Sequence, residues 1–171
     1  MAARSKVLIA GEAPLVEELA ALCIDAGHEV AVFLIEDLID TAGLARLADD
    51  ATSSQIVIEA VIESIETKRA VVNVLDQSLP PDRPIIAAAL SVTATQIAAW
   101  TTHAQRVVGF GALSPLKKGQ IIELAAALQS DTTFVGKAQQ FFTRLSLETA
   151  SVQDSVGLVL PRIVCSLVNE A

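Results

Sequence analysis

The sequence predicts an α/β fold: a doubly wound, mostly parallel sheet of about six to eight strands with helices on both faces. Three observations predict it. Short segments rich in Val, Ile and Ala alternate with segments whose apolar residues recur at helical spacing. The strand segments are apolar almost throughout rather than at every second residue, as expected of strands covered on both sides. The first unit, Lys6 to Phe33, runs strand, turn, helix, Gly27 stop and second strand, which is the opening of a crossover unit.

The elements follow in order. Lys6 to Ala10 forms the first strand, and Gly11 and Pro14 punctuate the way into a helix that continues to Ala26. The second strand spans Glu29 to Leu34. One short helix, Asp37 to Ala48, carries Leu44 and Leu47 at helical spacing, and the β-branched run Ile56 to Ala60 is the third strand. Ile65 to Ser78 places Ala70, Val71, Val74 and Leu75 on one helical face and stops at Leu79-Pro80-Pro81. Pro84 to Ala89 is the fourth strand, and Thr93 to Trp100 a helix with Ser91 or Thr93 as N-cap. Arg106 to Phe110 and Gln120 to Ala125 are strands, Thr132 to Arg144 is a helix, and Ser146 to Ala150 is a last short strand. A final helix starts at Asp154 and runs to Ala171. The organisation is therefore one doubly wound domain over 1–153 with a C-terminal helix over 154–171.

Composition narrows the function classes. In 171 residues, 52% are hydrophobic and 19% charged, enough apolar material to bury a sheet on both faces. The net charge of −8 opposes nonspecific binding to nucleic acid or to anionic membrane. No apolar run has the length of a membrane span, and the start Met-Ala-Ala-Arg-Ser-Lys leads into a strand rather than a signal segment, so a cytoplasmic location is expected. Cys23 and Cys165 lie far apart in apolar helical patterns and are expected to be reduced core residues rather than a disulfide or metal site. His28 and His103 stand alone, and no spacing of His, Cys, Asp and Glu predicts a metal site.

In a doubly wound sheet, ligands sit at the carboxyl edge of the strands. A dinucleotide turn there needs G-x-G-x-x-G after the first strand. Here the turn is Ala10-Gly11-Glu12-Ala13-Pro14-Leu15-Val16, and only Gly11 remains. Glu12 adds a carboxylate near the place of a pyrophosphate, and Pro14 removes one N–H donor. Leu34 ends the second strand, where an acid usually holds the ribose hydroxyls, with Glu36 two residues later as the substitute or as a solvated helix-start carboxylate. Gly11, Glu36 and Glu59 are the candidate cofactor-binding residues.

From Ile56 onward the order of features becomes specific. Ile56-Val57-Ile58-Glu59-Ala60-Val61-Ile62-Glu63-Ser64, then Lys68 and a helix, precede Pro84-Ile85-Ile86-Ala87-Ala88-Ala89-Leu90-Ser91 and Thr95-Gln96-Ile97-Ala98. Val107-Val108-Gly109-Phe110-Gly111-Ala112-Leu113-Ser114-Pro115 and Ile121-Ile122-Glu123-Leu124 follow. This series resembles the Rossmann-type NAD-binding domain of the 3-hydroxyacyl-CoA dehydrogenases, over about residues 6–171 and most strongly over 56–124. The resemblance implies NAD as cofactor and a catalytic serine, histidine, glutamate and asparagine. The serine of the family's Ser-Asn-Thr-Ser-Ser run falls on Leu90. The histidine of its His-Phe-Phe-Asn-Pro stretch falls on Gly111, and the asparagine near the start of the C-terminal helix falls on Pro161. The partner glutamate falls on Glu123, the single survivor.

Leu90 and Gly111 can neither transfer a proton nor polarise a carbonyl, and a glutamate without its histidine has nothing to orient. Glu123 is then expected as a solvated or salt-bridged strand residue near Lys117 or Lys118. Ser91, Ser114 and His103 are the groups that would have to stand in. Glu59 and Glu63 border the cofactor cleft in the family; as plain strand-end and helix-start carboxylates they suit the helix dipole. The expectation is a non-catalytic binding or assembly module with weak or no NAD binding. The alternative is an NAD-dependent 3-hydroxyacyl-CoA oxidoreductase of fatty-acid metabolism that uses non-standard residues or a partner subunit. Val156, Leu158, Val159, Leu160, Ile163, Val164, Leu167 and Val168 make the C-terminal helix apolar around much of its circumference, which predicts a homodimer contact over 154–171. In a longer protein, the same surface marks a missing domain.

Overall fold

The computed structural model describes residues 5–170, so the N-terminal Met-Ala-Ala-Arg and the expected helix end at Ala171 lie outside the described residues. Seven strands form one sheet: β1 (Lys6–Gly11), β2 (Glu29–Leu34), β3 (Ile56–Ala60), β4 (Ile85–Ala88), β5 (Val107–Gly111), β6 (Ile121–Ala126) and β7 (Glu148–Ser151). Their order is β2-β1-β3-β4-β5-β6-β7, and every pairing is parallel except β5 with β6. The helices are α1 (Leu15–Asp25), α2 (Thr41–Ser53), α3 (Ile65–Ser78), α4 (Ala94–Ala98), α5 (Thr132–Arg144) and α6 (Leu160–Asn169). The predicted doubly wound, mostly parallel sheet is present.

Successive side chains of a strand point to opposite faces, so near-continuous apolar strands build two cores. Val7 and Ile9 of β1, with Ile58, Ile86 and Val108, pack against Val16, Leu19 and Cys23 of α1 and Phe141 and Phe142 of α5. Leu8 and Ala10, with Val57, Ile85 and Ala87, pack against Leu47 of α2, Val71 and Leu75 of α3 and Ile97 of α4. The strands β1, β3, β4 and β5 are fully buried apart from their ends.

Several local expectations change. The helix expected over Asp37 to Ala48 is broken: Ile35–Leu38 is a 3-10 turn, and α2 starts only at Thr41. The break is held by acids. Asp37 accepts from the Leu34 N–H at 3.1 Å, and Asp40 caps α2 by accepting from the Gly43 N–H at 2.7 Å. A Cβ at position 43 would lie 1.6 Å from the Asp37 carbonyl oxygen, so glycine lets the turn fold onto the helix start. Thr93, the second of the two N-cap candidates before α4, accepts from the Gln96 N–H at 3.1 Å.

The C-terminal helix begins at Leu160, not Asp154. Asp154 serves a different helix: its two carboxylate oxygens accept from the Ala94 and Thr95 N–H groups of α4, each at 2.8 Å. The chain then turns through Gly157 and Leu158, both with positive φ, before α6 starts. Cys165 is also not a core residue; it is exposed on α6, whereas Cys23 is buried and burial pushes its thiol up to about 12. Among the described residues both cysteines are free.

Candidate functional site

The carboxyl ends of β1, β2, β3, β4 and β5 lie along one edge, and Gly11, Glu12, Glu36, Glu59, Leu90 and Gly111 lie at or just beyond strand ends there, whereas His28 and His103 lie toward the amino edge. Gly11 ends β1 at φ +149°, and a Cβ there would lie 2.3 Å from the carbonyl carbon and oxygen of Ala60. Only glycine lets the ends of β1 and β3 come this close. Directly after it, the Glu12 carboxylate Oε1 accepts from the backbone N–H groups of Ile62 and Glu63, each at 3.0 Å. Glu18, in the first turn of α1, accepts from the Ser114 hydroxyl at 2.9 Å and the Leu116 N–H at 3.0 Å. Ser114 is thereby committed to a structural bond. Glu36 is exposed in the 3-10 turn beyond β2.

Glu59 is not a helix-start carboxylate facing solvent. It is fully buried on β3, with its Oε2 2.6 Å from the Nζ of Lys68, which is also fully buried on α3. The Lys68 ammonium donates further to the Val61 carbonyl at 2.9 Å, and Glu59 Oε1 accepts from the Val61 N–H at 2.7 Å. Burial pushes the Glu59 carboxyl above its ordinary value, while Lys68 and the Val61 N–H pull it down. Glu63 remains at the loop after β3, where its N–H is engaged by Glu12.

Leu90, Gly111 and Glu123 are brought together. Gly111 on β5 pairs directly with Glu123 on β6, and a Cβ at 111 would lie 3.6 Å from Leu90 Cδ2. The space beside Gly111 is filled by Leu158, whose Cδ1 would be 2.9 Å from that Cβ. Leu158 is completely buried and stands in the left-handed region at φ 49°, uncommon for a branched apolar side chain. The Gly157 N–H donates to the Ala89 carbonyl at 3.0 Å, and the Arg162 guanidinium donates to the Leu158 carbonyl. Together these bonds hold the plug in place.

Glu123 is 3% exposed and contacts neither Lys117 nor Lys118, a correction to the expected solvated or salt-bridged carboxylate. Its two oxygens accept from the Val159 and Leu160 N–H groups, each at 3.0 Å, so it caps α6 from another strand. Pro161 sits in the first turn of that helix, where its missing N–H costs nothing. Glu123→Ala is expected to cost about 0.5–2 kcal/mol, typical of a lost N-terminal cap. Amide exchange should show Val159 and Leu160 losing protection first.

The remaining groups lie apart or idle. The Ser91 hydroxyl is buried with no hydrogen-bond partner among the described residues. His103 packs near the amino edge, its Nδ1 3.2 Å from Asp76. A cleft of about 390 Å³ lined by His28, Arg83, Lys137 and Arg144 also lies at that amino edge, remote from the turns just described. Among the described residues no His, Cys, Asp and Glu cluster suits a metal ion, and no helix is long and apolar enough to cross a membrane. Neither Leu158 as plug nor Glu123 as cap was legible from sequence, because each acts on a partner distant in the chain. The Gly157 preceding Leu158 is the one local signal of a turn there.

Strand order, crossovers and a glycine-tightened turn at the end of β1 define a doubly wound domain of the dinucleotide-binding class. The chain belongs to the family described as 3-hydroxyacyl-CoA dehydrogenase, NAD binding domain, whose model matches residues 34–155. It is 24% identical over 149 residues to a 3-hydroxybutyryl-CoA dehydrogenase of Bradyrhizobium diazoefficiens, covering 84% of this chain and 51% of that protein. With a probable 3-hydroxybutyryl-CoA dehydrogenase of Bacillus subtilis it shares 25% identity over 137 residues, 80% of this chain and 48% of that protein. The chain thus spans about half the length of these relatives. The crystal structure of (S)-3-hydroxybutyryl-CoA dehydrogenase from Ralstonia eutropha superposes with a TM-score of 0.83 at 24% identity, covering 98% of this chain and 70% of that one. The family match begins at Leu34, after the turn that carries Gly11 and Glu12.

Proposed function

We propose that this chain is a non-catalytic member of its family, a Rossmann-type binding and assembly module in the cytoplasm with weak or no NAD binding and no hydroxyacyl turnover of its own. The observation that supports it is the filled slot: Leu90, Gly111 and Leu158 pack together where the resemblance places a serine and a histidine, and Glu123 is spent on capping α6. Moving a hydride between NAD and a 3-hydroxyacyl carbon needs a group that takes or gives the proton at oxygen. Two aliphatic side chains and a glycine supply none.

The residues at the cofactor side do not fit a dinucleotide either. Ala13 and Val16 occupy the two G-x-G-x-x-G positions that follow Gly11, with Glu12 between Gly11 and Ala13, Leu34 offers no carboxylate to ribose, and Glu59 is neutralised by Lys68 inside the core. What the module offers instead is α6. None of its residues is buried, and Ile163, Leu167 and Val168 are at least half exposed, at 50%, 63% and 70%. A second copy of the chain, presenting the same apolar helix, is the occupant we assign to this face.

Incubation of the chain with NADH and acetoacetyl-CoA tests the catalytic half, and light scattering at micromolar concentration tests the assembly half. The expected results are no acetoacetyl-CoA-dependent NADH oxidation and the mass of a dimer. Turnover above the uncatalysed background refutes the non-catalytic reading, and a monomer refutes the pairing of α6.

A further inference from the structure

The sheet order β2-β1-β3 contains a reversal: the chain steps from β1 to β2 on one side, then crosses back to place β3 on the other. In open α/β sheets the ligand crevice opens at such a reversal, outside the carboxyl ends of the two central strands. Glu12 lies across this crevice. It leaves the end of β1, its own N–H donates to the Ala60 carbonyl at 3.2 Å, and its carboxylate takes both the Ile62 and Glu63 N–H groups in the loop after β3.

Two convergent backbone N–H groups on one carboxylate oxygen are the donors an anionic ligand oxygen would seek. Here the chain supplies that oxygen itself. In the G-x-G-x-x-G register that keeps Gly11 as the first glycine, Glu12 stands between the first two glycine positions, beside the place at which the backbone must approach the pyrophosphate. Glu17 and Glu18 in the first turn of α1 add two further acids on the same side.

We propose that Glu12 is an internal anion: its carboxylate occupies the crevice in place of a ligand phosphate and excludes dinucleotides and other polyphosphates from the carboxyl edge. The inference deepens the non-catalytic reading by naming the group that closes the cofactor side. Its test measures occupancy rather than turnover, so either can fail while the other stands.

The test uses the full chain as wild type, Glu12→Gln and Glu12→Gly, titrated calorimetrically with inorganic pyrophosphate and with NADH, together with amide exchange at Ile62 and Glu63. Wild type should bind neither compound below millimolar concentration. In Glu12→Gly the two amides should exchange faster by roughly tenfold, as expected when a charge-assisted bond is lost. Pyrophosphate should bind this variant at least roughly tenfold more tightly than wild type and restore slow exchange. Glu12→Gln, close in shape but uncharged, should bind pyrophosphate with intermediate strength, and it carries the test alone if the glycine variant does not fold. Wild type binding either anion as tightly as the variants overturns the proposal. So does a folded variant that loses protection at Ile62 and Glu63 yet gains no affinity.

Discussion

Replacement of Lys68 by methionine is expected to destabilise the domain by about 3–5 kcal/mol at neutral pH, the cost of leaving a buried charge without its partner. Lys68 and Glu59 are both fully buried and joined at 2.6 Å, and no solvent reaches either to take over. The loss should depend on pH. Burial already pushes Glu59 above its ordinary value of 4.5, and without Lys68 the main downward pull is gone. A carboxyl whose folded pKa is raised contributes stability below its unfolded value and loses it as pH rises through the folded value. The variant should therefore recover stability as pH is lowered toward 4.5, while wild type shows much less of this trend. Urea denaturation at a series of pH values measures it. A double replacement, Lys68→Met with Glu59→Leu, should be far milder than Lys68→Met alone, because no uncompensated charge remains.

The second large effect is expected at Arg106. Its guanidinium is fully buried, 3.2 Å from Asp76 through Nε and 2.8 Å through an Nη, and it also donates to the carbonyls of Leu79 and Pro80 at 2.9 and 2.8 Å. This one side chain holds the end of α3 and its exit to the start of β5. Arg106→Met removes all of these donors and should cost about 3 kcal/mol or more. The acid side of the stability curve should move as well. Burial raises Asp76, but the hydrogen bonds from Arg106 and Thr102, the Arg106 charge and His103 outweigh it, so its carboxyl stands below the ordinary 3.8. A depressed carboxyl stabilises the fold above its unfolded value, and that contribution is lost as pH falls below 3.8 toward the folded value. In the Arg106→Met variant burial prevails, so the loss should begin at higher pH. Thermal melts between neutral pH and pH ~3 should show the two curves separating on the acid side.

Both pairs show where reasoning along the chain stops. The apolar runs of β1, β3, β4 and β5 announce buried parallel strands by composition alone, and Gly27 and Pro80-Pro81 mark real ends. A charged residue, by contrast, carries no local sign of burial. Lys68 looks like any helix-surface lysine, and Arg106 like a polar strand start, until folding brings Glu59 and Asp76 against them. The same holds for caps. Thr93 was legible because its partner, Gln96, lies three residues on, but Asp154 caps α4 and Glu123 caps α6 across long stretches of chain. Along the chain, Asp154 therefore reads as the start of its own helix, whereas in the fold it caps α4. At the carboxyl edge, nothing along the chain announces that Leu158 packs against Gly111 or that Glu12 accepts from Ile62 and Glu63; only the fold shows it.

The plug beside Gly111 also bears on the chain's possible futures. Any side chain introduced at 111 meets Leu158, whose Cδ1 lies 2.9 Å from the Cβ position. Moving Leu158 disturbs the next two residues, whose N–H groups are the ones Glu123 holds. A histidine at 111 would therefore be penalised sterically, and Glu123 could not turn toward it without releasing α6. Substitutions at 111 and 158 are therefore coupled, with effects that do not add. The packing acts as an interlock: position 111 can be enlarged only if Leu158 is made smaller in the same molecule.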